Sequence, residues 1–257
     1  MSTEHHDTID GEPFFWRSAP GADVLYVHGV PTNADLWEPF LARIGGLALD
    51  LPGFGRTTKR GDLDFTIEGY GHWLDRFAEH VGLERFALVV QGWGALALPW
   101  AAQRAEQIER LVVVDAVPLL PGHRWHRLPR IWRASALGEL AMGMTIRPVA
   151  RRLAPREIVD VAWPHFDQGT QRAILRLYRW ADPDKLAAAG AHLGELRAPA
   201  LVAWGEDDPY HPVHFADGYA AVLGGETRVV RLPGAGHWPW LERPDLVETV
   251  GEFLRTR

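Results

Sequence analysis

The side chains that could do chemistry lie in two glycine-rich turns. His237 stands in a Gly-Ala-Gly-His-Trp run, where a histidine after a strand is free to move and titrates near neutrality, as a general base does. The second turn, Gln91-Gly92-Trp93-Gly94, follows an apolar run and leads directly into a helical pattern, which is the frame of a nucleophile elbow. The position that such a turn lifts above a sheet holds Gly92. The two turns therefore offer a candidate base without a nucleophilic side chain.

Almost continuously apolar runs, alternating with amphipathic stretches, must position these turns. Such runs are typical of parallel strands covered on both faces, so the sequence predicts an α/β fold with a mostly parallel sheet flanked by helices. From about residue 118 to 197 the strand pattern is absent, and we expect a helical cap insertion over the carboxyl ends of the strands. The expected domains are a core of residues 1–117 and 198–257 and a cap of residues 118–197. We predict strands at 24–28, 46–50, 85–90, 111–115, 200–204 and 227–232, and helices at 34–44, 67–81, from the Gly92 turn to about 105, and 245–255.

Composition excludes several classes of protein. The 257 residues include no cysteine, which excludes thiol catalysis and thiolate metal sites, and the net charge of -6 argues against broad nucleic-acid binding. Four arginines at helical spacing, Arg124, Arg127, Arg130 and Arg133, are interpreted as a solvated helix face. No apolar run approaches the roughly 18 residues of a membrane span, and residues 1–10 lack a secretory pattern. We therefore expect a cytoplasmic protein with no membrane partner.

The sequence shows no phosphate-binding loop, no dinucleotide fingerprint and no carboxylate metal cluster, so no cofactor and no metal are expected. His211 and His214 are three residues apart, but the intervening proline and the lack of a nearby third ligand argue against metal binding. The expected partner is a small-molecule substrate, taken up by a monomer or a homodimer.

The chain resembles the α/β-hydrolase superfamily, especially its haloalkane dehalogenase and epoxide hydrolase branch, over residues 20–255. Those proteins carry Asp-Trp-Gly at the elbow, often after Gln or His; here Gln91, Trp93 and Gly94 match, while Gly92 replaces the nucleophile. The other matching segments are an HGxP signature at 28–31, a Gly/Pro loop at 49–55 and the histidine loop at 234–238.

The resemblance implies roles for further residues. It assigns the acid that orients His237 to Asp208, with Asp115, at the end of an earlier strand, as the alternative. The oxyanion and substrate-binding group would comprise His28, Trp93 and Val30, with the backbone N–H groups of the last two as donors. Val30 stands where dehalogenases often carry a halide-binding Asn. Tyr178 matches a cap tyrosine that donates to an epoxide oxygen, although a packing role is about as well supported.

Three hypotheses follow from the missing nucleophile. In the first, His237 activates a water molecule that occupies the space at Gly92 and adds it directly to a small, apolar, neutral epoxide, ester or lactone. In the second, the chain is a disabled form of a hydrolase whose elbow aspartate became Gly92. In the third, it is a non-catalytic binding pseudoenzyme. Gln91 is expected to point below the elbow and to take no part.

Overall fold

An eight-stranded sheet forms the centre of the computed structural model, which describes residues 2–256. Along the chain the strands are β1 (Thr3–Ile9), β2 (Glu12–Ala19), β3 (Val24–Val27), β4 (Gly46–Leu49), β5 (Phe86–Gln91), β6 (Ile108–Val114), β7 (Ala200–Gly205) and β8 (Thr227–Leu232). Across the sheet they lie in the order β1-β2-β4-β3-β5-β6-β7-β8. The β1–β2 and β2–β4 pairs are antiparallel and all other neighbours are parallel. The predicted fold class is confirmed.

Helices cover both faces of this sheet. Because successive side chains of a strand point to opposite faces, Leu25 and Val27 of β3 pack into one apolar cluster, while Val24 and Tyr26 pack into the other. The α-helices are α1 (Glu38–Ile44), α2 (Ile67–Val81), α3 (Ala97–Ala102), α4 (Arg127–Arg133), α5 (Leu137–Gly143), α6 (Arg147–Leu153), α7 (Arg156–Ala162), α8 (Gln168–Trp180), α9 (Pro183–Ala189), α10 (His214–Val222) and α11 (Asp245–Arg255). Within residues 2–256, no helix is both long and apolar enough to cross a membrane.

Several elements differ from the sequence prediction. Helix α10 was not predicted, and the helix predicted at 34–44 is a 3₁₀ turn, Ala34–Trp37, followed by α1. The β1–β2 hairpin was not predicted, because its outer strand is mostly exposed and its polar side chains hide the strand period. The helix predicted to run from the Gly92 turn to about residue 105 is instead a 3₁₀ turn, Gly92–Leu96, followed by the short α3. Pro99 fits in the first turn of α3, where its missing N–H costs no hydrogen bond.

The segment between β6 and β7 contains six α-helices, α4 to α9, and no strand. Within this segment, residues 125 and 181 are joined, since the Trp125 indole N–H donates to the carbonyl oxygen of Ala181 at 2.8 Å. The Arg133 guanidinium donates to the carbonyl oxygens of Tyr178 and Ala181 at 2.6 and 2.5 Å. It thereby satisfies carbonyl groups that the end of α8 leaves without helical partners.

Candidate functional site

The turn after β5 brings Gly92 directly under the imidazole of His237. Gly92 has φ +53°, a left-handed conformation that few side chains adopt, and a Cβ atom built there would lie 3.1 Å from His237 Nε2. The next glycine is required by close packing, because a Cβ atom at Gly94 would lie 2.1 Å from the Val27 carbonyl oxygen. A side chain at position 92 would therefore point at the imidazole of His237.

His237 is oriented by Asp208. Its Nδ1 lies 2.8 Å from Asp208 Oδ2, and the carboxylate is fully buried. Asp208 Oδ1 accepts hydrogen bonds from the backbone N–H groups of Tyr210 at 2.7 Å and His211 at 3.2 Å. Burial opposes ionisation of Asp208, but the attraction and hydrogen bond of His237 outweigh it and lower the pKa of Asp208 to about 2. The structure thus provides a rigid carboxylate acceptor for the histidine.

Gln91 contacts the opposite side of the same imidazole. Its Nε2 lies 3.0 Å from the His237 carbonyl oxygen and 3.0 Å from His237 Nε2. The atom facing the carbonyl oxygen must be the amide nitrogen, because only the nitrogen can donate. The same nitrogen therefore also donates to His237 Nε2, which accepts only when it carries no proton. This arrangement fits the His237 tautomer that carries its proton on Nδ1, toward Asp208. The Gln91 side chain points at the base and not below the elbow as expected; its being the one polar residue of β5 was the available signal.

Asp115 lies behind this pair. Its Oδ1 accepts from the backbone N–H of Gly205 at 2.9 Å, and its Oδ2 is buried without a hydrogen-bond partner within residues 2–256. Burial, reinforced by the neighbouring Asp208 carboxylate, raises the pKa of Asp115 well above its ordinary value. Asp115, Asp208 and His237 offer ligand atoms within 4.8 Å of one another, a grouping that the sequence spacing did not reveal. Of the two carboxyl groups, Asp208 is the one that contacts His237, while burial and the Asp208 carboxylate favour the neutral form of Asp115.

The loop after β3 forms the other wall of the site. His28 is fully buried; its Nδ1 donates to the Gly29 carbonyl oxygen at 2.7 Å, and its Nε2 accepts from the Leu51 backbone N–H at 2.9 Å. Burial lowers the pKa of His28 to about 4, so the ring is neutral. His28 was expected among the substrate-binding residues. Both of its ring nitrogens instead form hydrogen bonds with the backbone, so His28 stabilises the loop. Val30 and Trp93 line the cavity, and neither backbone N–H donates within the described residues.

A cavity of about 140 Å³ opens above Trp93 and His237. Helices of the segment between β6 and β7 supply most of its walls, which are largely apolar. Tyr178 is buried there against Trp93 and Trp132, with ring centroids 5.1 Å apart in both pairs. Burial raises the pKa of the Tyr178 hydroxyl, so it stays protonated. Trp93 Nε1 is buried without a partner in residues 2–256 and is a free donor at the cavity wall.

Two residues beside the base were missed by the sequence reasoning. The Tyr210 ring packs edge-on against His237 at 5.0 Å between centroids, and its hydroxyl donates to the Leu153 carbonyl oxygen. His211 lines the cavity, and burial together with His237 lowers its pKa well below the ordinary value. They are the second and third residues after Asp208 in the sequence, and that proximity was the available signal.

The chain is similar in sequence to several known proteins. Residues 24–250 match the Alpha/beta hydrolase family. A haloalkane dehalogenase of Bradyrhizobium diazoefficiens is 25% identical over 261 residues, which cover 87% of this chain and 84% of the relative. An N-formylmaleamate deformylase of Pseudomonas putida is 25% identical over 245 residues, which cover 91% of this chain and 89% of the relative.

Not every alignment is that long. One with a further haloalkane dehalogenase is 30% identical but spans only 38% of this chain and 33% of the relative. Among solved structures, the haloalkane dehalogenase DbeA from Bradyrhizobium elkani superposes with a TM-score of 0.84 at 22% identity, covering 99% of this chain and 98% of that chain. At that identity the superposition supports the fold.

Proposed function

Because the chain belongs to the alpha/beta hydrolase family, we propose that it is a hydrolase that adds water directly to a small, largely apolar, neutral substrate. The observation that carries this proposal is the position of Gly92, where a Cβ atom would lie 3.1 Å from His237 Nε2. That space is where a side-chain nucleophile would stand, and we assign it to a water molecule. His237 is then the general base and Asp208 its orienting acid.

In the proposed step, His237 Nε2 takes a proton from this water while the water oxygen forms a bond to the electrophilic carbon of the substrate. Asp208 accepts the Nδ1 hydrogen bond throughout and stabilises the imidazolium that forms. The backbone N–H groups of Val30 and Trp93 donate hydrogen bonds to the substrate oxygen, on which negative charge develops. The bond between that carbon and the leaving oxygen then breaks, and His237 returns the proton to the leaving oxygen. Water must first displace the Gln91 amide from Nε2, because the ring nitrogen has one lone pair.

The walls of the cavity favour one class of substrate. We infer an ester, lactone or epoxide, because Val30 offers no side-chain donor for a halide ion beside Trp93. The relative named as a deformylase supports acyl chemistry on this fold. For an epoxide, Tyr178 is the candidate proton donor to the ring oxygen, since burial keeps its hydroxyl protonated. The helices between β6 and β7 act as the proposed cap that keeps bulk water from this reaction.

A second candidate function is binding without turnover, either in a disabled hydrolase or in a pseudoenzyme. The Gln91 amide favours it, because it already occupies the only lone pair of His237 Nε2. Loss of the nucleophile removes the covalent route, and such losses typically cost about 10⁴- to 10⁶-fold in rate. In this second function the cavity still binds its ligand, but His237 has no group from which to take a proton.

The deciding experiment measures hydrolysis of epoxides, haloalkanes, esters and lactones by the unaltered chain and three variants. Gly92→Asp restores a carboxylate beside His237, Gly92→Ala fills the same space with an inert methyl group, and His237→Ala removes the base. Direct water addition requires that the unaltered chain is active and that Gly92→Ala and His237→Ala both lose about 10²-fold or more. Turnover by Gly92→Asp alone would instead identify a disabled hydrolase, and binding without turnover in every form would identify a pseudoenzyme.

A further inference from the structure

The outer faces of α4, α5 and α6 carry an unusual concentration of exposed aliphatic side chains. Within residues 2–256, all large apolar side chains that are strongly exposed lie between residues 131 and 153, apart from Val222. A scattered exposed aliphatic residue needs no explanation, but a group confined to one short segment marks an interaction site. The exposed fractions are 44% for Ile131, 61% for Leu137 and Leu140, 65% for Met144, 56% for Ile146 and 43% for Leu153.

Helical spacing turns these side chains outward together. Leu137, Leu140 and Met144 recur at intervals of three and four residues, which places them on one face of α5 and its C-terminal end. Met142 of the same helix is buried and lines the cavity. The inward packing of α5 is therefore complete without its exposed leucines, and the fold gives no reason for their type.

The segment that carries these side chains is strongly basic in a chain whose net charge is -6. Residues 127–156 contain seven arginines and a single acidic residue, Glu139. Arg127, Arg130 and Arg152 are exposed and form no ion pair within the described part of the chain, while Arg147, Arg151 and Arg156 share the one carboxylate of Asp160. Arg127, Arg130 and Ile131 lie on one face of α4, so cationic and aliphatic groups are interleaved on this surface.

We propose that this surface, residues 127–153, docks onto an anionic lipid surface. Aliphatic side chains gain free energy by entering the boundary between headgroups and acyl chains, and arginines gain it from lipid phosphates, so one occupant satisfies both. Nucleic acid would leave the exposed leucines unburied. A two-fold contact with a second copy would bring two basic surfaces together, at an electrostatic cost.

The cavity opens toward the same surface. Leu153 is both exposed and part of the cavity wall, and Trp132 and Met142 line the cavity from the helices that carry the exposed groups. A molecule dissolved among lipid chains could therefore pass into the cavity along apolar side chains. The docking surface thus supplies apolar ligands from a lipid phase, whichever chemistry takes place inside.

The test measures co-sedimentation of the full chain with vesicles of phosphatidylcholine alone and of phosphatidylcholine mixed with phosphatidylglycerol. We expect binding to the anionic vesicles only, and binding that weakens as salt is raised. Arg127→Glu with Arg130→Glu should weaken it by about 20-fold or more, since each basic residue near such a surface contributes about fivefold. Leu140→Ser with Met144→Ser should weaken it by about tenfold or more.

Matched controls keep the result interpretable. Arg197→Glu with Arg228→Glu makes the same change in charge at exposed positions outside residues 127–153 that form no ion pair within residues 2–256, and Val222→Ser makes the same kind of polar change outside that surface. Both controls should bind as the unaltered chain does, and thermal unfolding should show that every variant is folded. Absence of binding to anionic vesicles, or equal loss in the controls, would overturn the proposal. So would a dimer in light scattering that the Leu140→Ser and Met144→Ser changes dissociate, because that result assigns the surface to a second copy.

Discussion

The two hydrogen bonds of the His237 ring determine which nitrogen carries the proton. Asp208 accepts from Nδ1 and the Gln91 amide donates to Nε2, so these contacts favour the tautomer with its proton on Nδ1. We expect the nitrogen NMR signals of the unaltered chain near neutral pH to show a protonated Nδ1 and an unprotonated Nε2. Gln91→Glu should protonate Nε2 as well, because a carboxylate there accepts a hydrogen bond.

Gln91→Met is the control for this experiment, since it keeps the length of the side chain without a hydrogen-bonding group. It should leave the proton on Nδ1, which Asp208 still accepts, and leave Nε2 without a fixed partner. Equal spectra for the three chains would show that Gln91 does not act on the ring.

Substitution by asparagine should affect the two carboxyl groups beside His237 differently. Asp208→Asn removes the charge that stabilises the imidazolium, so we expect any hydrolysis by the unaltered chain to fall by about 10³- to 10⁴-fold. Asp115→Asn should change the rate less than about tenfold, because Asp115 accepts a hydrogen bond from the Gly205 backbone N–H and makes none with His237, and an amide oxygen of similar position can accept the same bond. Steady-state rates at neutral pH measure both. A larger loss from Asp115→Asn would assign the orienting acid to Asp115.

Asp208 also makes stability depend on pH. Its pKa is about 2 in the folded chain and about 3.9 when unfolded, so the unfolded state binds the proton more tightly. The stabilisation is therefore fully present above about pH 5 and is lost as the pH falls toward 2, and it amounts to about 2 kcal/mol. Denaturant unfolding at several pH values should show the unaltered chain losing more free energy of unfolding over this range than Asp208→Asn does. Parallel curves would contradict the assignment.

At the scale of secondary-structure elements, close approach of backbones fixes the elbow. A Cβ atom at Gly94 would lie 2.1 Å from the carbonyl oxygen of Val27, and backbone atoms of a central strand cannot shift cheaply. We expect Gly94→Ala to lower the free energy of unfolding by about 3 kcal/mol or more.

Gly71→Ala is the matched change on α2, where the new Cβ atom would meet only the Trp100 Cβ at 3.8 Å. It should raise the free energy of unfolding by about 0.5 to 1 kcal/mol, because alanine favours helix. Urea unfolding measures both variants. A Gly94→Ala chain as stable as the Gly71→Ala chain would mean that β3 and the elbow do not pack as described.

Elements with a strong local pattern were predictable from sequence. The bounds of α2, β8 and α11 agree with the prediction, since α2 is amphipathic and ends at Gly82 in the left-handed conformation. The β1–β2 hairpin was not predictable, because its strands are stabilised by pairing with each other and with β4, and this pairing leaves no local pattern in the sequence. The Gln91 contact was missed for a similar reason: the direction of a side chain at a strand end depends on His237, which lies 146 residues away.

At the scale of the whole molecule, the site is assembled by the topology of the sheet. Gly92, Asp208 and His237 follow the ends of β5, β7 and β8, and parallel strands bring their carboxyl ends to one edge. Residues that are far apart in sequence therefore meet, and their meeting was expected only from the resemblance to the α/β-hydrolase superfamily, which left Asp115 open as the alternative acid. The division into a core of residues 1–117 and 198–257 and a cap of residues 118–197 stays a prediction.

The hydrogen bond from Trp125 to Ala181 places the two ends of a 55-residue excursion, residues 126–180, side by side. A segment whose entry and exit coincide is a natural unit of genetic exchange, because a different length or sequence can be spliced between the same two points without altering any strand pairing. Recombination at these two points would replace the cavity walls and the basic outer face together, while Asp208, His237 and the turn at Gly92 stay in place. Ligand choice and docking surface would then be inherited as a single module, separately from the acid–base pair.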